Sequence, residues 1–238
     1  MHLVLFGANG PTGRQLTDQA LAGRHRVTAV TRHPGSMSPR EGLTIVRADV
    51  TDAAAVDGVV AGAEAVLSAV GVPYSPKPVG VYSAGAANII AAMGSHGLKR
   101  LVVVGTAAVD PGYRASDSLF FTRVMEPLFM RRPGRTVYED NRRMEALVRA
   151  SDLDWTIVRA CWLFDSAAVT DYQVTENSPH AMFTARADLA ACMLACLTGE
   201  QPIRKVIGVS TTTATPGLIQ QIWREVIRKP KKDWRRDL

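Results

Sequence analysis

The sequence predicts an α/β fold in which one doubly wound parallel sheet is covered by helices on both faces. Strand-like and helix-like patterns alternate along the 238 residues, as the crossovers of a parallel sheet require. An apolar run at residues 3–6 leads directly into a glycine-rich turn and then into a helical spacing of apolar residues. No internal repeat or low-complexity linker divides the chain, so we expect a single domain over residues 1–238.

The apolar patterns also place the individual elements. Runs rich in β-branched residues predict strands at residues 3–6, 25–31, 43–46, 65–70, 101–104, 155–158 and 206–209. Helical spacing predicts helices after the glycine-rich turn and at residues 52–60, 81–95, 136–150, 187–197 and from 215 onward. Asp52 is expected to cap the helix that follows it, and Gly97 to end the helix before it.

Two segments interrupt the alternation, and both follow strands whose carboxyl ends would border a ligand crevice. Residues 110–135 hold apolar side chains among arginines, and residues 161–183 are irregular apart from a short strand expected near 172–174. We interpret both as lid or substrate segments, and a dimer contact or satellite core is the alternative. The side chains expected to cover a ligand are Phe120, Phe121, Met125, Phe129, Trp162 and Phe164.

The bulk composition, 47% hydrophobic and 21% charged, is that of a globular protein in water. No apolar run approaches the ~20 residues of a membrane span, and the first strand begins at once, which leaves no room for a signal peptide. The three cysteines form no ligand constellation, so no metal site is predicted. We therefore expect a cytoplasmic protein without a membrane partner, as a monomer or homodimer.

The net charge of +6 is concentrated near the end of the chain. A basic tail at residues 228–238 could bind nucleic acid. No recognition-helix pattern or aromatic platform accompanies it, so a solvated helix end and frayed terminus is the favoured interpretation. Nucleic acid is not an expected partner.

The glycine-rich turn carries the first chemical signal. Gly7 would permit a tight turn, Gly10 would let the backbone approach a pyrophosphate, and Gly13 would let the helix pack closely on the strand. The positive end of that helix would then face phosphates. The turn predicts a dinucleotide site whose contacts are Gly7, Asn9, Gly10, Pro11, Thr12, Gly13 and Arg14.

The spacing Gly7-x-x-Gly10-x-x-Gly13 resembles that of the extended and atypical branches of the short-chain dehydrogenase/reductase superfamily. The stretch GANGPTGR is most similar to the atypical NAD(P)H-binding proteins grouped with biliverdin reductase B (flavin reductase) and the NmrA-like proteins. Residues 184–190, TARADLA, also resemble that group, and the resemblance spans nearly the whole chain. It implies a Rossmann fold.

The end of the second strand indicates the form of the cofactor. An acidic residue there would bind the ribose 2′-hydroxyl of NAD, whereas this chain continues Thr31-Arg32-His33. Arg32, joined by Arg14, could pair with the 2′-phosphate of NADP. The alternative is a surface arginine without such a role, and NADP (NADPH) is the cofactor that we predict.

Further contacts follow from the resemblance. Asp49 and Val50 lie in a short turn that resembles the family's turn beside the adenine. Ser68, Ala69, Val70 and Gly71 resemble the segment that passes under the nicotinamide ribose. Small residues there would let the backbone approach the cofactor.

The catalytic region departs from the pattern of the family, in which a Ser or Thr follows strand five and Tyr-x-x-x-Lys opens the next helix. Thr106 lies near the Ser position, but Val137 and Asn141 occupy the Tyr and Lys positions. One residue later, Tyr138 and Arg142 form Tyr-x-x-x-Arg. We expect the row of Tyr138, Arg142, Glu145 and Arg149 to face solvent, and the row of Val137, Asn141, Met144 and Val148 to face the sheet.

The catalytic candidates are therefore Thr106, Asn141 and Tyr138. Asn141 could reach the cofactor ribose or be a satisfied core amide. Without the Tyr and Lys, hydride transfer to a planar acceptor such as a flavin, quinone or tetrapyrrole is favoured over ketone reduction. An NmrA-like redox sensor that binds NADP(H) without turnover is the alternative, and a relative of the sugar-nucleotide epimerases is a third.

Overall fold

The computed structural model describes residues 1–73, 77–113, 132–198 and 202–213. The helices are α1 (Pro11–Ala22), α2 (Ala53–Val60), α3 (Val81–Ser95), α4 (Arg132–Ala150) and α5 (Arg186–Ala195). The strands are β1 (His2–Phe6), β2 (Arg26–Thr31), β3 (Leu43–Arg47), β4 (Ala65–Ser68), β5 (Arg100–Thr106), β6 (Asp154–Ala160), β7 (Leu163–Phe164), β8 (Tyr172–Glu176), β9 (Thr184–Ala185) and β10 (Lys205–Thr211).

Eight strands form the main sheet, in the order β3-β2-β1-β4-β5-β6-β10-β8. Neighbouring strands from β3 to β10 are parallel, whereas β8 pairs antiparallel with β10 at the edge. The doubly wound parallel sheet is thus confirmed, with one antiparallel edge strand at the position expected near residues 172–174. The strand order reverses beside β1, which lies between β2 and β4, and ligands of such sheets bind at this switch point.

Both faces of the sheet are buried, which explains why β1 reads as a continuous apolar run. Leu3 and Leu5 pack in one core cluster with residues of α1 and α5. Val4 and Phe6 point to the opposite face and pack with residues of α2, α3 and α4. The alternation of side chains along a strand therefore serves two cores at once.

Parts of the predicted chain lie outside the described residues. They include most of the segment 110–135 with its phenylalanines, the helix expected from residue 215, and the basic tail 228–238. The segment 161–183 is described, and it holds β7 and β8. Within the described ranges, no helix has both the length and the apolar character needed to cross a membrane.

A carboxylate caps the amino end of two helices. At α2 it belongs to the residue before the helix, and at α3 it comes from another helix. The Asp52 side chain accepts hydrogen bonds from Ala54 N–H and Ala55 N–H, each at 3.1 Å, as the sequence predicts for α2. At α3, Asp140 of α4 supplies the cap: it accepts from Tyr82 N–H at 2.9 Å and from the hydroxyl of Ser83. Asp140 is fully buried, so α4 both packs against α3 and satisfies the end of that helix.

We expect Asp140→Ala to lower the free energy of unfolding by about 2 kcal/mol, because it leaves partly buried donors at the start of α3 without an acceptor. The matched change Asp52→Ala removes an exposed cap and should cost about 1 kcal/mol. Urea unfolding of both variants measures the difference. Equal losses of unfolding free energy in the two variants would contradict the larger contribution that we assign to Asp140.

Candidate functional site

The site is built around the turn between β1 and α1. Gly7 has a φ of +77°, and a Cβ there would lie 2.6 Å from the carbonyl oxygen of Ala69. A Cβ at Gly13 would lie 2.1 Å from the carbonyl oxygen of Gly7. These distances exclude side chains, so the glycines bring the turn, the start of α1 and the segment after β4 into backbone contact.

The amino end of α1 has no side-chain cap. The N-cap residue is Gly10, whose N–H donates to Gly7 O at 3.0 Å, and Pro11 at the first position has no N–H. No acidic residue occupies the first turn. The amides and the positive dipole of this helix end can therefore meet an anion, which is the property that a pyrophosphate site requires.

Two arginines lie beside this helix end. Arg14 donates through Nε to Asn9 O at 3.1 Å, and through Nη2 to the Asn9 side chain and to Ser36 O at 2.8 Å. Arg32 is exposed directly after β2. The sequence prediction placed both near a 2′-phosphate, and the fold brings them to the same edge of the turn. The hydrogen bonds of Arg14 to Asn9 and Ser36 were not foreseen.

Asp49 follows β3 at the same edge of the sheet. Its carboxylate accepts from Thr51 N–H at 2.9 Å and from the Thr51 hydroxyl at 2.7 Å. These hydrogen bonds, with a smaller contribution from the charge of Arg32, lower the pKa of Asp49. The group is therefore ionised at neutral pH and is able to accept a further hydrogen bond.

The remaining predicted cofactor segments meet at the carboxyl ends of β3 and β4. Val50, Ser68 and Val70 line a small cavity of about 20 Å³ together with α3. Gly85 of α3 provides room for Val50, since a Cβ at Gly85 would lie 2.8 Å from Cγ2 of Val50. A Cβ at Gly71 would meet nothing within 4 Å, so this part of the segment is open.

Thr106 and Asn141 lie on neighbouring elements. Thr106 ends β5, and its Oγ1 accepts from Ala108 N–H at 3.3 Å. Asn141 is buried and donates to Val137 O at 3.0 Å. Its side chain also hydrogen-bonds the hydroxyl of Tyr82. Of the two alternatives for Asn141, these contacts describe the satisfied core amide.

Tyr82 was not identified from the sequence. Its hydroxyl accepts from Val72 N–H at 3.1 Å, so it joins the segment after β4 to Asn141 of α4. Burial raises the pKa of Tyr82. The phenol is therefore neutral at physiological pH, and it supports the segment that the resemblance places under the nicotinamide ribose.

The predicted orientation of α4 is right for one row and wrong for part of the other. Val137, Asn141, Met144 and Val148 are buried as expected. Arg142 and Arg149 are exposed, but Tyr138 is only 7% exposed and Glu145 only 4%. The prediction that Tyr138 and Glu145 face solvent is wrong, and for Glu145 the physical reason is a partner on β6.

That partner is Arg159. Its Nε and Nη2 donate to the two carboxylate oxygens of Glu145 at 3.0 and 2.8 Å, which forms a buried two-pronged ion pair. Gly105 leaves room for the pair, since a Cβ there would lie 2.9 Å from Glu145 Oε1. A glycine within a strand pattern was the sequence signal for such a close approach.

The Arg159 guanidinium also has partners on the side away from Glu145. Its Nη1 lies 3.2 Å from Asp110 Oδ2 and 3.4 Å from Ser178 Oγ, and the Ser178 hydroxyl donates to Asp110 Oδ2 at 2.6 Å. The hydrogen bond from Ser178 is the main cause of the lowered pKa of Asp110. Asp110 is the first residue of the segment 110–135, and Ser178 lies within the segment 161–183. Neither side chain was singled out as a site residue from the sequence.

Aromatic residues follow β6 at this edge. Trp162 is half-buried with a φ of 29°, a region that favours glycine, and its ring packs edge-to-face on Phe183 at 6.4 Å. Phe164 packs edge-to-face on Phe183 from another side, also at 6.4 Å, but it is only 7% exposed. Trp162 and Phe183 therefore offer surface to a ligand, whereas the predicted wall residue Phe164 mainly supports Phe183.

The known proteins most informative for this chain share its fold. A short-chain dehydrogenase/reductase (wide type) of Veillonella parvula DSM 2008, solved with NADP, has a TM-score of 0.72 at 18% identity, over 89% of this chain and 95% of that chain. The anaerobilin reductase ChuY of Escherichia coli O157:H7 has a TM-score of 0.70 at 22% identity, over 91% of this chain and 100% of that chain. A putative epimerase of Bacteroides thetaiotaomicron has a TM-score of 0.70 at 24% identity, over 90% of this chain and 99% of that chain.

A sequence relative is found in Mycobacterium tuberculosis (strain ATCC 25618 / H37Rv). This uncharacterized protein is 31% identical over 102 residues, which make up 43% of this chain but 12% of the relative. The match thus spans about an eighth of that protein.

A family model described as NAD(P)H-binding matches residues 7–200, from the first glycine of the turn to beyond α5. The match covers most of the chain and agrees with the Rossmann fold and with the resemblance carried by the glycine spacing. The chain belongs to the NAD(P)H-binding family.

Proposed function

We propose that this protein is an NADPH-dependent oxidoreductase that transfers a hydride to a planar acceptor such as a flavin, a quinone or a tetrapyrrole. The observation that carries the proposal is the uncapped amino end of α1 with Arg14 and Arg32 beside it. It is complementary to a dinucleotide that carries an additional phosphate.

The preference for NADP is argued from charge. Arg32 follows β2 where an acidic residue would bind a ribose 2′-hydroxyl, and the acidic Asp49 nearby is engaged by Thr51. Arg14 is held by Asn9 and Ser36, so its guanidinium is oriented before a phosphate arrives. A preoriented guanidinium loses little freedom on binding.

We expect the protein to bind NADPH more tightly than NADH, and Arg32→Asp to weaken NADPH binding by ~1.5–3 kcal/mol, the size of a charge-assisted hydrogen bond. Arg26→Asp is the matched control, because Arg26 is exposed at the other end of the same strand. Titration with each nucleotide gives the dissociation constants. A wild-type protein that prefers NADH would contradict the proposal.

The choice of acceptor follows from the groups near Thr106. The positions of the family's Tyr and Lys hold Val137 and Asn141, and the Asn141 side chain is engaged with Val137 O and Tyr82. A bound nicotinamide would supply the hydride, and a flavin or quinone takes its protons from water. The chain's own residues then need to orient the acceptor and exclude water, for which Trp162 and Phe183 are suited. One structural neighbour is an anaerobilin reductase, which supports a tetrapyrrole as an acceptor.

We expect NADPH oxidation with riboflavin, FMN or a quinone, and little with small ketones or alcohols, because the positions of the family's Tyr and Lys hold Val137 and Asn141. Thr106→Ala should cost ~1–2 kcal/mol in kcat/KM, the loss of one orienting hydrogen bond. The absorbance of NADPH with each acceptor class measures both effects. Robust ketone reduction would refute the proposal, and tight NADPH binding with no turnover on any acceptor would favour the NADP(H) sensor.

Tyr138→Phe tests whether α4 supplies a general acid. Tyr138 is buried, so exposure no longer argues against that role, but we still expect the variant to retain most of its turnover because the acceptor is protonated by water. The measurement is kcat with riboflavin and with a quinone. A fall of roughly 100-fold or more, the scale of a lost general acid, would make Tyr138 catalytic.

A further inference from the structure

Asp110 stands between a buried arginine and the solvent at the acceptor side of the sheet. The side chain of Arg159 is 8% exposed and that of Asp110 is 23% exposed. On its inner side the Arg159 guanidinium is paired with Glu145 through Nε and Nη2. On its outer side Nη1 faces Asp110 Oδ2 and Ser178 Oγ. The arginine is therefore covered by one carboxylate on each side.

The position of this cluster follows from the strand register. Arg159 of β6 pairs with Gly105 of β5, directly before Thr106. Asp110 follows the short 3-10 turn that Thr106 caps. On the other side, Ser178 lies in the loop before β9, and the hydroxyl of Tyr113 donates to Ala181 O at 3.4 Å in the same loop. Asp110 thus lies at the carboxyl edge of the strands, shortly after Thr106 in the chain and in contact with Ser178 of the segment 161–183.

The cluster holds two arginines and two carboxylates, because Arg149 also lies 3.5 Å from Glu145. Arg159 and Arg149 contribute +2, and Glu145 and Asp110 contribute −2, so the formal charge of the cluster is zero. At the outer surface the partly exposed group is the Asp110 carboxylate, while the guanidinium beneath it has its outward nitrogen engaged.

We propose that Asp110 is a specificity-determining residue that selects neutral planar acceptors, such as riboflavin or a quinone, over acceptors that carry a phosphate or carboxylate. This inference rests on the proposed function. Asp110 occupies the Nη1 group that an anionic acceptor would otherwise bind, and its own charge repels that acceptor. Removing the charge would leave the outward Nη1 of Arg159 without its carboxylate partner, so that this nitrogen could donate to a phosphate or a carboxylate of the acceptor.

Asp110→Asn separates this role from a purely structural one. The amide oxygen can still accept from Gly112 N–H, which donates to Asp110 Oδ1 at 2.9 Å, and the amide NH2 can donate to the Ser178 hydroxyl, which then acts as the acceptor. Both loop contacts therefore keep a partner, while Arg159 Nη1 loses its carboxylate. Removing Arg159 itself is a poorer test, because it would leave Glu145 buried without its partner. Asp165→Asn is the matched control: it also removes one carboxylate paired with an arginine, here Arg186 at 2.8 Å, on the substrate-side segment.

The experiment compares riboflavin with FMN, which differ by one phosphate. Dissociation constants of both flavins are measured by flavin fluorescence with NADP⁺-saturated protein, and kcat/KM is measured with NADPH. For Asp110→Asn we expect the ratio of FMN to riboflavin affinity to rise by roughly fivefold, as for one partly exposed ion pair. The gain should shrink at high salt, and Asp165→Asn should leave the ratio unchanged.

The two proposals fail in different ways. An unchanged ratio in Asp110→Asn, an equal rise in Asp165→Asn, or no binding of either flavin would overturn the role of Asp110. A shifted binding ratio without any NADPH oxidation would support that role and overturn the proposed oxidoreductase activity. Turnover with an unchanged ratio would leave the activity standing and remove Asp110 from specificity.

Discussion

The structure depends on a contact between backbones that only glycine allows. Gly13 brings α1 against the carbonyl of Gly7, and Gly7 in turn lies against Ala69 beyond β4. A single Cβ at either position would separate the helix from the sheet at the point where the strand order reverses. Because the contact is made, the uncapped end of α1 opens over the carboxyl edge of the strands. The same constraint therefore fixes the packing of the first crossover and the position of the helix end that is proposed to hold a phosphate.

Features that depend on neighbouring residues were predictable from the sequence. The glycine turn, the cap at Asp52 and the apolar strands can each be recognised from residues that are close together in the sequence. Features that depend on distant partners were not. The cap of α3 comes from Asp140, 58 residues from Tyr82, and the partner of Glu145 lies 14 residues away on β6. The hydrogen bond of Arg14 to Ser36 O likewise depends on the tertiary fold, because 22 residues separate the two.

The error on α4 has a definite physical origin. Apolar periodicity identifies the stripe of Val137, Met144 and Val148, since burying these side chains is favourable in any context. A carboxylate in the adjacent row is exposed unless a partner compensates for its lost hydration. Glu145 has that partner in Arg159 of β6. In the sequence, Arg159 is a single charged residue at the end of an apolar run, and nothing nearby indicates that it pairs with Glu145. Gly105 was the one sequence signal for the buried pair, because a glycine inside a strand indicates that another group approaches it closely.

Polar side chains of α3 and α4 are engaged with one another and with the backbone. Asn141 bonds to Val137 O and to Tyr82, and the Tyr82 hydroxyl accepts from Val72 N–H. These contacts join α3, α4 and the segment after β4, which gives that segment a fixed position at the carboxyl edge. Under the proposed function, this site contributes orientation and not proton transfer, which suits acceptors that take their protons from water. Selection among such acceptors would then come from shape and charge at the carboxyl ends of β5 and β6, where Trp162 supplies an aromatic surface and Asp110 a negative one.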